Sequence, residues 1–243
     1  MEDGILRNMH NKVLTAMEVR NRKDIYNAKV VGADLIILHY TTFLGIAKVA
    51  GLMPFGNPNE SVFSFIRELQ PIETTIPVIA GICGTEPCRN QTTFLQKLKL
   101  AGIDGVQNFP SVGYIDGVYR QNLEAVNLGY ERECSLIERG VGEGLVCFPL
   151  VFNEKEAIAM AKTGCKVLIY SMGLRIHSNK QIANEEIDEF WCAVENTARI
   201  VKEKYPQIMM LVYTENHLYL ETMINRLSQD GTAVDGVYNC LTV

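Results

Sequence analysis

The chain has 243 residues, 47% of them hydrophobic and 21% charged, and its 28 acidic and 23 basic residues give a formal charge of -5. This composition excludes disordered and collagen-like chains, and the dispersed basic residues argue against a nucleic-acid partner. No apolar run approaches the roughly 18 to 20 residues needed to span a bilayer, and the acidic start has no apolar export core, so a soluble, cytoplasmic protein with no membrane partner is expected.

Taken in chain order, apolar runs rich in β-branched residues alternate with amphipathic stretches. Val13 to Val19 reads as a first strand, followed by a helix from Asp24 to Val31 that ends at Gly32. A second strand, Ala33 to Tyr40, precedes a helix from Ser61 to Leu69, which stops before Pro71. The third, Ile76 to Cys83, leads to a helix from Gln91 to Ala101 ended by Gly102, and the fourth, Gly105 to Phe109, to a helix from Asn122 to Arg139 ending near Gly140. Leu145 to Phe152 is the fifth; Asn153 then caps a helix from Glu154 to Thr163, with Glu156 placed as in a capping box and Gly164 as the stop. Lys166 to Met172 is the sixth, before the longest helix, Glu185 to Lys204, which has Ile187, Phe190, Val194, Ala198 and Val201 at helical spacing. Gln207 to Tyr213 is the seventh, His217 to Ser228 the next helix and Val234 to Leu241 the eighth strand.

Runs such as Leu35-Ile36-Ile37-Leu38 are apolar on both faces, as strands of a covered parallel sheet must be. The segments starting at Val31, Ala101, Thr163 and Thr232 repeat one helix-to-strand grammar. Eight strands and seven helices without a linker predict an α/β fold: a single (β/α)8 TIM-barrel domain over residues 1–243, lacking the final helix. An open doubly wound sheet is the alternative. Strands left uncovered by a missing helix would favour a homo-oligomer.

In a barrel, chemistry sits at the carboxyl ends of the strands. Cys83, Thr85, Glu86 and Arg89 follow the third strand; Asn108, Asp116, Arg120 and Glu124 follow the fourth. The carboxylates of Glu86, Asp116 and Glu124 are of a type to hold Mg²⁺ or do acid/base work, and Arg89 and Arg120 to grip a phosphate or carboxylate. A structural reading stays open beside this one: Asp116-Gly117 suits a turn, Arg120 and Glu124 pair at helical spacing, and Cys83 suits a buried thiol. His39, His177 and His217 would share the mouth, but no short His-to-His spacing supports zinc. The seven cysteines are scattered and odd in number, as in a reduced protein.

The stretch from Ala80 to Arg89 (AGICGTEPCR), followed by Gly105 to Glu124 (GVQNFPSVGYIDGVYRQNLE), resembles the phosphoenolpyruvate hydrolase-like family, as do Gly51 to Gly56 (GLMPFG), Gly129-Tyr130 with Glu133, and Pro149 to Asn153 (PLVFN). The resemblance implies a TIM barrel related to the phosphoenolpyruvate mutase and isocitrate lyase superfamily. It also implies a hydrolase or lyase acting on a small anionic substrate, an enol-phosphate, phosphonate or 2-oxo acid. Glu86, Asp116 and Asn108 would be catalytic, Glu86 and Asp116 would hold Mg²⁺, and Thr85, Arg89, Arg120 and Glu124 would bind substrate. The loops after strands one, two, six and seven depart from the family pattern, with Ser171 in place of a His and Thr214-Glu215-Asn216-His217 in place of a glycine-rich loop. These departures point to the second class of function, a catalytically degenerate barrel kept as a binding or signalling module.

Overall fold

The computed structural model describes residues 13–39, 56–87, 89–173, 183–215, 219–229 and 231–241. The elements run β1 (Val13–Glu18), α1 (Arg22–Val30), β2 (Leu35–Leu38), α2 (Pro58–Glu68), β3 (Val78–Gly81), α3 (Gln91–Leu100), β4 (Gly105–Gln107), α4 (Gly117–Ala125) and α5 (Tyr130–Gly142). There follow β5 (Val146–Cys147), β6 (Leu150–Val151), α6 (Glu154–Ala161), β7 (Val167–Tyr170), α7 (Asn184–Lys204), β8 (Met209–Glu215), α8 (Leu220–Leu227) and β9 (Gly236–Leu241). All nine strands lie in one parallel sheet, in the order β5-β4-β3-β2-β1-β9-β8-β7-β6.

The first strand pairs with the last through five registered positions, Val13 with Val237 to Met17 with Leu241, which closes the sheet and rules out the doubly wound alternative. β5 and β6 are two halves of the predicted fifth strand, parted at Phe148-Pro149 where proline offers no N–H to a ladder. Eight strand positions therefore make a TIM barrel, as the periodicity predicts.

Helix starts follow the expected chemistry. Asn57, Asn90 and Asn153 accept the backbone N–H groups of Glu60, Thr93 and Glu156, while Pro58 opens α2 where its missing N–H costs nothing. The capping box is altered: Glu156 accepts from Phe152 N at 3.1 Å, one residue before the cap. The predicted helix from Asn122 to Arg139 is instead two helices. Asn127 adopts a left-handed φ of 57°, and a Cβ at Gly129 would fall 1.8 Å from Glu124 Oε2, so the chain turns sharply against that carboxylate.

Across the break in the fifth strand, a side chain replaces the ladder. Asn108, fully buried just after β4, donates from Nδ2 to Leu150 O at 3.1 Å and accepts at Oδ1 from Leu150 N at 2.7 Å. The same Nδ2 donates to Glu133 Oε2 at 2.6 Å. Removing this amide strands several buried polar groups, each worth about 1 to 3 kcal/mol. Asn108→Ala should therefore lower unfolding free energy by about 3 kcal/mol or more in urea titration; a loss under about 1 kcal/mol would mean that the rung carries little.

Candidate functional site

Directly paired residues of a parallel sheet point to the same side, so the register shows which residues face the barrel axis. Cys147 and Val106 face outward, since a Cβ on Gly140 of α5 would lie 3.0 Å and 3.1 Å from them. The opposite parity faces inward, and at the carboxyl ends of the strands it presents Glu18, His39, Gln107, Ser171, Glu215 and Cys240. Deeper inward positions are apolar or small, such as Leu14, Ala16, Ile37, Ile79, Gly105 and Leu211. An apolar barrel is thus capped by a ring of groups with chemistry.

His39 is held tightly within that ring. Its imidazole stacks on Phe109 at 4.2 Å, and a Cβ at Gly81 would fall 2.6 Å from its Cδ2 and 3.3 Å from Phe109 Cβ, so only glycine leaves room for the pair. Its Nε2 lies 3.0 Å from Gln107 Oε1, while Gln107 Nε2 donates to Phe148 O at 2.9 Å. The carbonyl of Phe148 fixes the amide's orientation, which makes Nε2 of His39 the protonated nitrogen and leaves the lone pair on Nδ1. Burial lowers the pKa of His39, opposed by the charges of Glu18 and Glu215 and by Gln107, so the ring is neutral at neutral pH.

Beside it, Glu18 is buried with Oε1 lacking a hydrogen-bond partner, and the Nε of Arg20, 3.7 Å away, also has none. Such atoms are costly unless a ligand or water serves them. The Tyr238 hydroxyl is buried near Gln107 without a bond of good geometry. Tyr114, whose hydroxyl bonds with Ser171, leads from this mouth into a cavity of about 870 Å³. Asp116, Arg120, Phe152, Glu156 and Phe190 help to line it.

The sequence-predicted residues separate into two places. Asp116 and Arg120 line the large cavity, whereas Glu86 and Arg89 line another of about 350 Å³ between the starts of α2 and α3. Glu86 already accepts from Asn57, Asn59 and Arg89, at 3.2, 2.8 and 3.0 Å. Asp116 flanks α4 with no side-chain capping bond. The structure does not bring these two carboxylates together, and among the described residues no three His, Cys, Asp or Glu side chains converge to hold a metal. Arg89 is paired with Glu60 and Glu86, and Arg120 with Glu124 and Glu156, which raises the pKa of both guanidinium groups against the opposing effect of burial. Glu124 also accepts from Tyr130 N at 3.3 Å. Thr85 lies 3.4 Å from the Cys83 sulfur, and burial raises the pKa of that thiol, so it is not a ready thiolate. His177 and His217 lie outside the described residues.

Sequence reasoning gave no role to Glu18 or Gln107, and took Glu133 only as part of the family resemblance. Glu133 on α5 is fully buried and accepts from Asn108 Nδ2, Ser111 Oγ and Val112 N at 2.6 to 2.7 Å. Burial pushes its pKa up to about 7 despite those three donors, with Glu156 adding to the rise.

A parallel barrel of eight strand positions, with polar groups gathered at its carboxyl mouth, defines a TIM-barrel protein. The chain belongs to the phosphoenolpyruvate hydrolase-like family, whose model matches residues 12–240. It is 34% identical over 186 residues to the ToMV resistance protein Tm-1(GCR237) of Solanum lycopersicum, covering 75% of this chain and 25% of that protein's length. Its fold is that of phosphoenolpyruvate phosphomutase from Streptomyces platensis subsp. rosaceus, with a TM-score of 0.57 at 14% identity over 99% of this chain and 80% of that one. It is likewise that of phosphonopyruvate hydrolase in complex with oxalate and Mg²⁺, with a TM-score of 0.56 at 15% identity over 99% of this chain and 80% of that one. No helix among the described residues is long and apolar enough to cross a membrane.

The buried Glu133 predicts a pH effect of definite sign. Its carboxyl ionises near 4.5 when unfolded but only near 7 when folded, so the folded state holds the proton more tightly and stability falls as pH rises between those values. The decline from this group should be on the order of 3 kcal/mol, present in the wild type and absent from Glu133→Gln when unfolding free energy is compared from pH 4.5 to 8. Parallel curves for the two proteins would contradict the assignment.

Proposed function

We propose that the protein is a hydrolase or lyase acting on a small anionic 2-oxo acid, phosphonate or enol-phosphate at the barrel mouth, with His39 as its general base. The observation that carries this reading is the fixed tautomer of His39: neutral, stacked on Phe109 and bonded through Nε2, it offers Nδ1 as a proton acceptor among buried carboxylates. A base of lowered pKa is already deprotonated at neutral pH.

Each neighbouring group has a part. His39 Nδ1 takes the proton from an attacking water or a substrate hydroxyl. The unpartnered Nε of Arg20 donates to an anionic oxygen of the substrate, and Glu18 Oε1 accepts from a substrate hydroxyl or water. The Tyr114 hydroxyl, oriented by its hydrogen bond with Ser171, donates to the oxygen on which charge develops. Of the two carboxylates expected to hold Mg²⁺, Asp116, exposed and without a side-chain capping bond, is the one that would do so, and the metal would supply polarisation of a carbonyl or phosphoryl oxygen. Both oxygens of Glu86 are committed to N–H donors, and that residue stands as a support for the loop after β3.

A second reading, the binding or signalling module, is favoured by one observation. Arg89 and Arg120, the two guanidinium groups after β3 and β4, are spent on internal ion pairs instead of being presented to a ligand. Screening phosphonopyruvate, phosphoenolpyruvate and 2-oxo acids with and without Mg²⁺, by thermal shift and turnover together, separates the two. The enzyme reading expects turnover with an acid limb below pH 6.5, and loss of roughly a hundredfold or more in Folded His39→Ala. Thermal stabilisation without turnover would favour the module, and undiminished turnover in His39→Ala would remove His39 from the mechanism.

A further inference from the structure

Glu133 belongs to α5, on the outer face of the barrel, and its side chain reaches none of the mouth groups directly. Its three hydrogen bonds nevertheless fall on one short segment: the side chains of Asn108 and Ser111 and the backbone N–H of Val112. That segment also carries Phe109, which stacks on His39, and Tyr114, which meets Phe109 edge-on at 6.2 Å and Phe152 at 4.7 Å. It follows directly on Gln107, the hydrogen-bond partner of the His39 ring. The helix can approach this closely because Gly84 has no side chain: a Cβ there would lie 2.9 Å from Glu133 Cα.

We propose that Glu133 is a positioning residue for the mouth, its carboxylate clamping residues 108–112 so that Phe109 and Gln107 hold the His39 ring in its working orientation. A carboxylate suits this task because three donors converge on it, and an amide in its place would turn one N–H toward another donor. The groups facing the carboxylate from the surrounding elements include Cys83 after β3, Asn108 and Ser111 in the clamped segment, Tyr114 just beyond it, and Glu156 on α6. Tyr130 and Cys134 face it from its own helix. None of these is a cation, so the clamp rests on hydrogen bonds and not on an ion pair. Its strength therefore depends on pH, because a protonated carboxyl becomes a donor on one oxygen.

The proposal rests on the reading of His39 as the base, and it is tested by a signal that needs no substrate. The imidazole resonances of His39, assigned by comparison with His39→Asn, are titrated by NMR in the full-length wild type, Glu133→Gln and Ser111→Ala. In folded Glu133→Gln the stack on His39 should open, and the His39 pKa should rise toward the ordinary histidine range as the ring gains water. Ser111→Ala, which removes one donor of three, should move it less and in the same direction. If a substrate is found, kcat should fall by roughly 10- to 100-fold in Glu133→Gln while KM changes little. An unmoved His39 titration in folded Glu133→Gln overturns the proposal; if that variant does not fold, an unmoved titration in Ser111→Ala overturns it instead. Failure to find turnover in the wild type would count against the enzyme reading alone, since the titration still decides whether Glu133 positions the ring.

Discussion

The barrel depends on how it is held together where its fifth strand breaks. Phe148-Pro149 interrupts the ladder between β5 and β6, and the side chain of Asn108 takes over the missing rung by bonding both the N–H and the C=O of Leu150. An amide can do this because it is donor and acceptor at once, the same pair that a backbone unit offers. The Asn108 amide is in turn fixed by Glu133, and the Tyr130 hydroxyl donates a further bond to Leu150 O at 2.5 Å. Strand break, loop and outer helix are thus one hydrogen-bonded unit buried from water, where an unmade bond is expensive. The loop that forms one wall of the mouth hangs from this unit.

The electrostatic character of the mouth follows from burial. Glu18 and Glu215 surround a neutral histidine, and the two arginines after β3 and β4 are neutralised by carboxylates of the neighbouring helices. Arg20 forms a long ion pair with Glu18 at 3.7 Å, in which neither Arg20 Nε nor Glu18 Oε1 has a hydrogen-bond partner. A ligand carrying an acceptor next to a hydroxyl would satisfy both atoms at once. Likeness to phosphonopyruvate hydrolase and phosphoenolpyruvate phosphomutase shows the shared barrel alone.

Much of the fold was legible because its signals are local. All eight strand positions stand where apolar runs placed them, and the asparagine caps and glycine stops mark most helix boundaries. The split between α4 and α5 was hidden because Asn127 and Leu128 fit a helical pattern, and the turn depends on Glu124 packing against Gly129. The candidate site was less legible. Proximity in sequence drew attention to the polar residues after β3 and β4, but Glu86 and Arg89 turn toward the helix starts, and Asn108 is bound into the wall. A period of two along each strand would have pointed to Glu18, His39 and Glu215, since each continues an inward series such as Leu14-x-Ala16-x-Glu18. Glu133 was visible only as part of the family resemblance beside Gly129-Tyr130, without a role, because that role arises only when α5 packs against the loop after β4.

The central claim is that the inward-facing ends of the strands form the site. A crystal structure of the protein soaked with oxalate and Mg²⁺ tests it most directly, because oxalate carries paired oxygens like those of a 2-oxo acid. The account predicts oxalate at the mouth, within hydrogen-bonding distance of Arg20 and close to His39, Tyr114 and Ser171. Oxalate seated instead beside Glu86 and Arg89, with the mouth unliganded, would contradict it.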